Sequence, residues 1–154
     1  MMGIMPDQLY VMFEGLAVPP LAMGANCGVG ASDILVSLLA MTGSNSASKF
    51  IVKGNCGIPQ FHGTEIHYTG TPELMAVYAA LAVHSGARIV GGCCGTSPEH
   101  LAAMRKALDA TLFDAAQRPT IESLVEAIGP LANQAPTLHA AAERPRRRGR
   151  STTE

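Results

Sequence analysis

The sequence has few charged and few aromatic residues. It contains no tryptophan, only 5% aromatic residues and only 15% charged residues. Hydrophobic residues make up 47% of its 154 positions, and alanine and glycine are abundant. A chain of this composition can bury a core, which excludes an intrinsically disordered protein. Its length is that of one domain of ordinary size.

Long apolar segments are also absent. No stretch has the roughly 18 uninterrupted apolar residues that would cross a bilayer, so we expect no transmembrane helix. The first residues, MMGIMPDQL, lack the basic region and the apolar region of a secretory signal. Both absences predict a cytoplasmic, reducing location. Four cysteines in such a location indicate metal binding or catalysis before disulfides.

Basic residues are scarce outside one short segment. Five arginines lie in RPRRRGR, residues 144–150, whereas residues 1–143 hold six basic and eleven acidic residues. An acidic body argues against nucleic acid as the main partner. The Arg-rich end is also compatible with contact to RNA or to an anionic surface. We expect residues 132–154 to form a solvated, disordered tail instead.

Apolar runs alternate with amphipathic segments along most of the chain. Three near-continuous apolar runs that end in glycine predict buried strands at residues 20–28, 49–57 and 87–95. Helical patterns cover residues 6–16, 32–43, 71–85, 96–111 and 120–128, with Ser32 as an N-cap and Thr96–Glu99 as a capping box. Residues 58–70 are predicted to be a loop. Buried strands that alternate with helices predict an α/β fold with a parallel sheet.

Each predicted strand ends in a motif of glycine and cysteine. The motifs are Ala25-Asn26-Cys27-Gly28, Gly54-Asn55-Cys56-Gly57 and Gly92-Cys93-Cys94-Gly95. The carboxyl ends of parallel strands meet at one edge of a sheet, where α/β proteins place their chemistry. Cys27, Cys93 and Cys94 can supply three thiolates, the number of protein ligands typical of a catalytic zinc. The glycines around the pair permit the backbone turn that lets both adjacent thiols face one ion.

The pattern leaves alternatives open. A cysteine pair at a strand end is also compatible with plain packing or with a redox pair. Cys56 is predicted to be a packing residue and not a ligand. Asn26 and Asn55 either orient substrate at the mouth of the site or act only as turn residues. His62 and His67 are expected on the loop surface, and His100 is expected to face solvent.

Two segments carry a resemblance to a known family. GGCCGTSPEHLAAMR together with GANCGVGAS resembles the homocysteine S-methyltransferase family, over about Met2–Leu108. The closest resemblance is to bacterial betaine–homocysteine methyltransferases. It implies a (βα)₈ barrel whose zinc is held here by Cys27, Cys93 and Cys94. It further implies methyl transfer to the zinc-activated sulfur of homocysteine, giving methionine, with a betaine-type donor favoured.

The resemblance also implies an incomplete barrel. A (βα)₈ barrel takes about 250 residues, whereas three strand–helix units and a preceding helix are predicted here. We therefore expect the C-terminal part of a TIM barrel in residues 1–112, a helical extension in 113–131 and the tail in 132–154. Activity would then need the missing N-terminal half or self-association. The alternative is a non-catalytic, zinc-binding orphan fragment that self-associates through its open sheet.

Overall fold

The computed structural model describes residues 4–28, 30–44, 47–57 and 59–132, with only the backbone of His62. Its strands are β1 (Met23–Asn26), β2 (Phe50–Gly54), β3 (Pro59–His62), β4 (Glu65–Tyr68) and β5 (Ala87–Gly92). Its α-helices are α1 (Ala31–Ser44), α2 (Pro72–His84), α3 (Pro98–Ala110) and α4 (Ile121–Ile128), and 3₁₀ helices span Pro6–Phe13 and Ala115–Gln117. Apart from Ala132, the expected Arg-rich tail lies outside the described residues.

Three strands form one parallel sheet in the order β1-β2-β5. This confirms the predicted α/β fold with a parallel sheet. In the central strand, Phe50, Val52 and Gly54 are buried, whereas Lys53 is exposed. Successive side chains of a strand point to opposite faces of the sheet. One face of the sheet is therefore covered, and the other faces outward.

Helices cover one face of the sheet and form the core with it. Helix α1 contacts β1 and β2, α2 contacts β5, and α3 packs against α2. The core side chains include Leu35, Leu38, Met41, Phe50, Val52, Met75, Tyr78, Ala79 and Ala82. Burying one large apolar side chain contributes about 2 kcal/mol. This apolar layer therefore holds the helices on the sheet.

The opposite face of the sheet is bare in the described part of the chain. Ile89 is 42% exposed there, and Lys53 is exposed as well. Within the same residues, β1 and β5 each have β2 as their only neighbour. In a closed barrel this face would line the interior and both edges would be paired. The arrangement is compatible with a partial α/β barrel.

Helix α4 packs on the same core as the sheet. Its side chains Leu124 and Ile128 are buried, and the helix contacts α1 and α2. Ser32 is not the N-cap of α1, since the helix begins at Ala31. Its hydroxyl instead donates to the carbonyl of Gly129 at 2.7 Å, a contact between α1 and the end of α4.

The domain boundary at residue 112 stays a prediction. No helix among the described residues is long and apolar enough to cross a bilayer.

Two further local predictions are wrong. The segment expected as an α-helix over residues 6–16 is a 3₁₀ helix, Pro6–Phe13. No side chain caps its start and none of its residues is buried, so little supports a longer α-helical ladder. At the start of α3 the capping residue is Ser97 and not Thr96, and the backbone N–H of Ser97 donates to Nδ1 of His100 at 3.1 Å.

The segment predicted as a loop contains a β-hairpin. Strands β3 and β4 pair antiparallel, with His62 opposite Glu65. The turn therefore has two residues, Gly63 and Thr64, and Gly63 has a φ of 66°. Glycine at the first position of a two-residue turn is a hairpin signal. That signal is present in the sequence and identifies the hairpin.

Candidate metal centre

Three thiols lie together at the carboxyl edge of the parallel sheet. The sulfur atoms of Cys27, Cys93 and Cys94 all lie within 4.8 Å of one another. The Sγ–Sγ distance is 3.6 Å from Cys27 to Cys94 and 3.9 Å from Cys93 to Cys94. Cys94 is exposed and the other two are half-buried, so a small molecule can approach the cluster. The structure thus brings together the three cysteines singled out by their position after strands.

The thiols come from strands that are not neighbours. β2 lies between β1 and β5, so the axes of the outer strands are roughly 10 Å apart. The backbone N–H of Cys27 donates to the carbonyl of Lys53 at 2.9 Å, and that of Cys93 donates to the carbonyl of Gly54 at 2.8 Å. Cys27 has a φ of 62°, a left-handed conformation rare for a residue other than glycine. This turn lets its thiol meet the pair across the end of β2.

The sulfur positions fit a tetrahedral metal ion. A tetrahedron with zinc–sulfur bonds of about 2.3 Å places two sulfurs about 3.8 Å apart. The separations of 3.6 Å and 3.9 Å lie on either side of that value. Three protein thiolates around zinc leave one position for a further ligand. The donor set and its spacing therefore suit zinc, and zinc binding itself stays a prediction.

The contact between Cys27 and Cys94 shifts the pKa values of the two thiols in opposite directions. A hydrogen bond from Cys94, followed by one from the backbone of Gly28, lowers the pKa of the Cys27 thiol. The same contact with Cys27 is the main cause that raises the pKa of Cys94. Metal ligands are thiolates and not thiols. Cys27 is therefore the member of this pair that first reaches the ligating form as the pH rises.

The two asparagines predicted near the site occupy different environments. Asn55 is buried, with 2% of its surface exposed, and its side-chain N–H donates to the carbonyl of Gly28 at 2.8 Å. The Asn55 side chain also helps to lower the pKa of the Cys27 thiol. Asn26 is exposed and lines a cleft of about 200 Å³ beside Cys27. Asn55 thus supports the Cys27 loop, whereas Asn26 is open to solvent.

All three clustered thiols lie within a segment that matches a known protein family. Residues 2–108 match the model described as homocysteine S-methyltransferase. This chain belongs to the homocysteine S-methyltransferase family. The match covers well over half of the chain and includes all three clustered thiols. Family membership assigns the chemistry to the methyltransferase class at a coarse level, and three adjacent cysteines able to hold a metal ion agree with it.

A buried tyrosine that sequence reasoning missed supports the strand ends of this methyltransferase-family site. The hydroxyl of Tyr78, on α2, accepts the backbone N–H of Gly54 at 2.9 Å and donates to the carbonyl of Gly91 at 3.4 Å. Its side chain is fully buried, and burial raises its pKa well above the ordinary value. Tyr78 therefore stays a neutral donor and acceptor that fixes β2 beside β5.

Cys56 lies outside the thiol cluster. It is buried, with 1% of its surface exposed, and burial raises the pKa of its thiol. The thiol donates to the carbonyl of Gly70 at 3.2 Å, and the N–H of Gly70 donates to the carbonyl of Cys56 at 3.1 Å.

His100 does not simply face solvent as predicted. It is half-buried, and its Nε2 lies 3.2 Å from the Gly70 carbonyl. His67 is exposed, as predicted.

Tyr68 is a second residue that sequence reasoning missed. It ends β4, and its ring packs against the backbone of Gly95, the residue after Cys94. The sequence alone does not indicate this contact, because it depends on how the hairpin folds back toward the sheet edge. The hairpin therefore brings a polar side chain to a cluster formed by residues far from it in sequence.

Proposed function

We propose that this chain is the zinc-binding part of a homocysteine S-methyltransferase, with Cys27, Cys93 and Cys94 holding one Zn²⁺. The single observation that supports this most is that the three sulfurs lie within 4.8 Å of one another, with two of their separations, 3.6 Å and 3.9 Å, close to that of a tetrahedral site. When bound, zinc would lower the pKa of the homocysteine thiol. The homocysteine thiolate would then displace the demethylated donor from the methyl group (from betaine, the neutral amine dimethylglycine), giving methionine. A betaine-type donor is part of the proposal.

The chain's own residues would position this reaction. Cys94 is exposed, which leaves a side of the cluster open to a thiol substrate. Asn26 lines the cleft beside Cys27 and is proposed to bind the polar part of homocysteine. Asn55 was predicted as a substrate contact too. Its burial and its hydrogen bond to Gly28 favour an indirect role, in which it holds the Cys27 loop in place for the substrate.

The bare face of the sheet is proposed to be covered in the active protein. Ile89 and Lys53 are exposed on that face, and both outer strands have an unpaired edge in the described residues. Such an arrangement invites pairing with further strands. The N-terminal strands of a family barrel, or a second copy of this chain, would supply them. The proposal places the protein in the cytoplasm, where four thiols stay reduced.

The first experiment measures zinc per chain on the reduced, purified protein. We expect about one zinc in the unaltered chain, almost none in Cys93→Ser, and about one in the matched control Cys56→Ser. Methyl transfer from betaine to homocysteine is then assayed with and without a separately expressed N-terminal barrel half. Absence of zinc from the unaltered chain would contradict the proposed metal site. Full zinc content without methyl transfer in either mixture would favour the non-catalytic zinc-binding fragment.

A further inference from the structure

His100 connects the helix after the cysteine pair to the base of the hairpin without being one of the clustered ligands. We propose that it is a positioning residue of the zinc site, which holds the backbone of Cys94 by closing a network of hydrogen bonds through Gly70. This inference rests on the proposed function, because it assigns a role toward the same metal.

One half of the network fixes the tautomer of the imidazole. The backbone N–H of Ser97 donates to Nδ1 of His100 at 3.1 Å, so this nitrogen is an acceptor and carries no hydrogen. The proton of the imidazole is then on Nε2, which lies 3.2 Å from the carbonyl of Gly70. The same side chain therefore accepts at the start of α3 and donates to the base of the hairpin.

The other half of the network leads from Gly70 to the cysteine pair. The N–H of Gly70 donates to the carbonyl of Cys56 at 3.1 Å, and the N–H of Cys56 donates to the carbonyl of Cys94 at 2.9 Å. Ser97 follows Cys94 by three residues, so the covalent chain closes the network. The backbone of Cys94 is thus held from the start of α3 and from the loop after β2.

Gly70 is the most closely packed member of the network. A Cβ atom added to it would lie 2.6 Å from the carbonyl carbon of Cys56 and 2.7 Å from its sulfur. Only glycine therefore lets the hairpin base approach the loop after β2 this closely. Cys56 links Gly70 to Cys94 through its backbone alone, which agrees with its thiol being dispensable for zinc in the control Cys56→Ser.

Cys94 is the ligand that most needs such a restraint. It is exposed, whereas Cys27 and Cys93 are half-buried, so packing constrains it least. The next residue is Gly95, and glycine is the residue with the most backbone freedom. The structure nevertheless places the Sγ of Cys94 3.6 Å from that of Cys27, a spacing that suits a shared ion. The network through His100 supplies the restraint that keeps this spacing.

The test uses His100→Asn in the full, reduced chain. Asparagine keeps an acceptor in the place of Nδ1 but is too short to donate to Gly70. We expect Zn²⁺ affinity, measured by competition with a chromophoric chelator, to fall about tenfold, the lower end of the cost of losing a group that orients a metal ligand. His100→Gln should restore most of that affinity, since its amide oxygen and nitrogen are spaced much like the two imidazole nitrogens. His67→Asn, at an exposed histidine of the hairpin, is the matched control.

Two further measurements distinguish positioning from general stability. With Co²⁺ in place of zinc, the ligand-field bands report the arrangement of the sulfurs around the ion. They should shift in His100→Asn and stay unchanged in His100→Gln and His67→Asn. Gly70→Ala should also weaken zinc binding, and its combination with His100→Asn should lose little more than the more affected single variant, because both changes open the same network. Urea unfolding of the metal-free variants checks that each one folds.

The outcomes separate this inference from the proposed function. Unchanged affinity and unchanged cobalt bands in His100→Asn, with the unaltered chain binding zinc, would overturn the role of His100 and leave the metal site standing. Equal losses in His100→Asn and His100→Gln, or losses that multiply in the combination with Gly70→Ala, would overturn the network. Failure of the unaltered chain to bind either ion would overturn both proposals. If Gly70→Ala does not fold, the comparison of the two His100 variants decides alone.

Discussion

The same tripeptide, Asn-Cys-Gly, lies at the carboxyl ends of two neighbouring strands and has different surroundings in each place. After β1, the thiol of Cys27 lies in the cluster and Asn26 is exposed. After β2, both Cys56 and Asn55 are buried, and the thiol of Cys56 bonds the carbonyl of Gly70. Identical residues 29 positions apart therefore reach either a metal site or a packed interior.

The difference comes from what surrounds each strand end. β1 is an outer strand, and the left-handed backbone of Cys27 turns its thiol over the end of β2. β2 is the central strand, so the loops that carry the clustered cysteines lie on either side of its end. The residues after β2, including Cys56, also contact the base of the hairpin at Gly70. The close approach of this base at Gly70 leaves no room for a Cβ beside Cys56. The position of a strand in the sheet thus decides whether the tripeptide presents its thiol or buries it.

The largest effect should be the loss of zinc affinity in Cys27→Ala, compared with Cys56→Ala. Cys27→Ala removes one of three proposed ligands and should weaken zinc binding by more than about 100-fold, beyond the usual cost of losing an outer partner. Cys56→Ala should keep zinc affinity within about twofold and lower the free energy of unfolding by about 1 kcal/mol, as for an ordinary buried substitution. Chelator competition and urea unfolding measure the two quantities. Equal zinc loss in both variants would mean that the two tripeptides do not differ in function.

A smaller effect is expected from the two asparagines. Asn55→Ala removes a buried side chain together with its hydrogen bond to the carbonyl of Gly28. It should cost about 2 kcal/mol of unfolding free energy, a factor of roughly 30 in the equilibrium. Asn26→Ala changes an exposed side chain and should stay within about 0.5 kcal/mol. Urea unfolding of the metal-free chain compares them. A cost as large for Asn26 as for Asn55 would contradict the burial difference.

The smallest effect concerns thiol reactivity in the metal-free protein. The pKa of Cys27 is lowered and that of Cys56 is raised, so at pH 7 Cys27 holds more thiolate and should be alkylated at least about tenfold faster. Because both thiols approach full ionisation at high pH, the ionisation part of the difference should shrink as the pH rises. Brief iodoacetamide treatment followed by trypsin separates the two sites, which lie on different sides of Lys49 and Lys53.

Zinc supplies the control for that alkylation experiment. Bound metal should protect Cys27 and leave the slow reaction of Cys56 unchanged. Protection of Cys56 by zinc, or equal rates at the two sites without it, would place the wrong thiol in the cluster.

The meeting of the three cysteines was predictable because it follows from topology. Residues that directly follow strands of one parallel sheet lie at the same edge, whatever the details of the loops. Cys27 and the pair at Cys93 satisfy that rule. The parallel sheet was predictable for a similar reason, since buried runs that alternate with helices have few other arrangements. That the cluster binds zinc is still a prediction from donor type and spacing.

What the sequence did not predict depends on neighbours distant along the chain. Thr96 and Ser97 are both able to cap α3, and the choice falls to Ser97 because Thr96 packs where a Cβ of Gly92 would lie. The contact of the Tyr68 ring with Gly95 exists only once the hairpin folds toward the sheet edge. Gly63 is a local sequence signal for the turn of the hairpin, whereas no local signal indicates where the hairpin packs.

The hydrogen bonds of β2 have a consequence for transplanting this cluster into another protein. This strand contributes no thiol to the cluster. Its carbonyls at Lys53 and Gly54 nevertheless accept hydrogen bonds from the backbone N–H groups of Cys27 and Cys93. Deleting one residue from β2 would shift its register by about 3.3 Å, nearly a full sulfur–sulfur spacing, although every cysteine would remain. A designer who copies only the cysteine-bearing loops would therefore lose the geometry. The smallest transferable unit is three adjacent parallel strands, with the middle one kept at its original length.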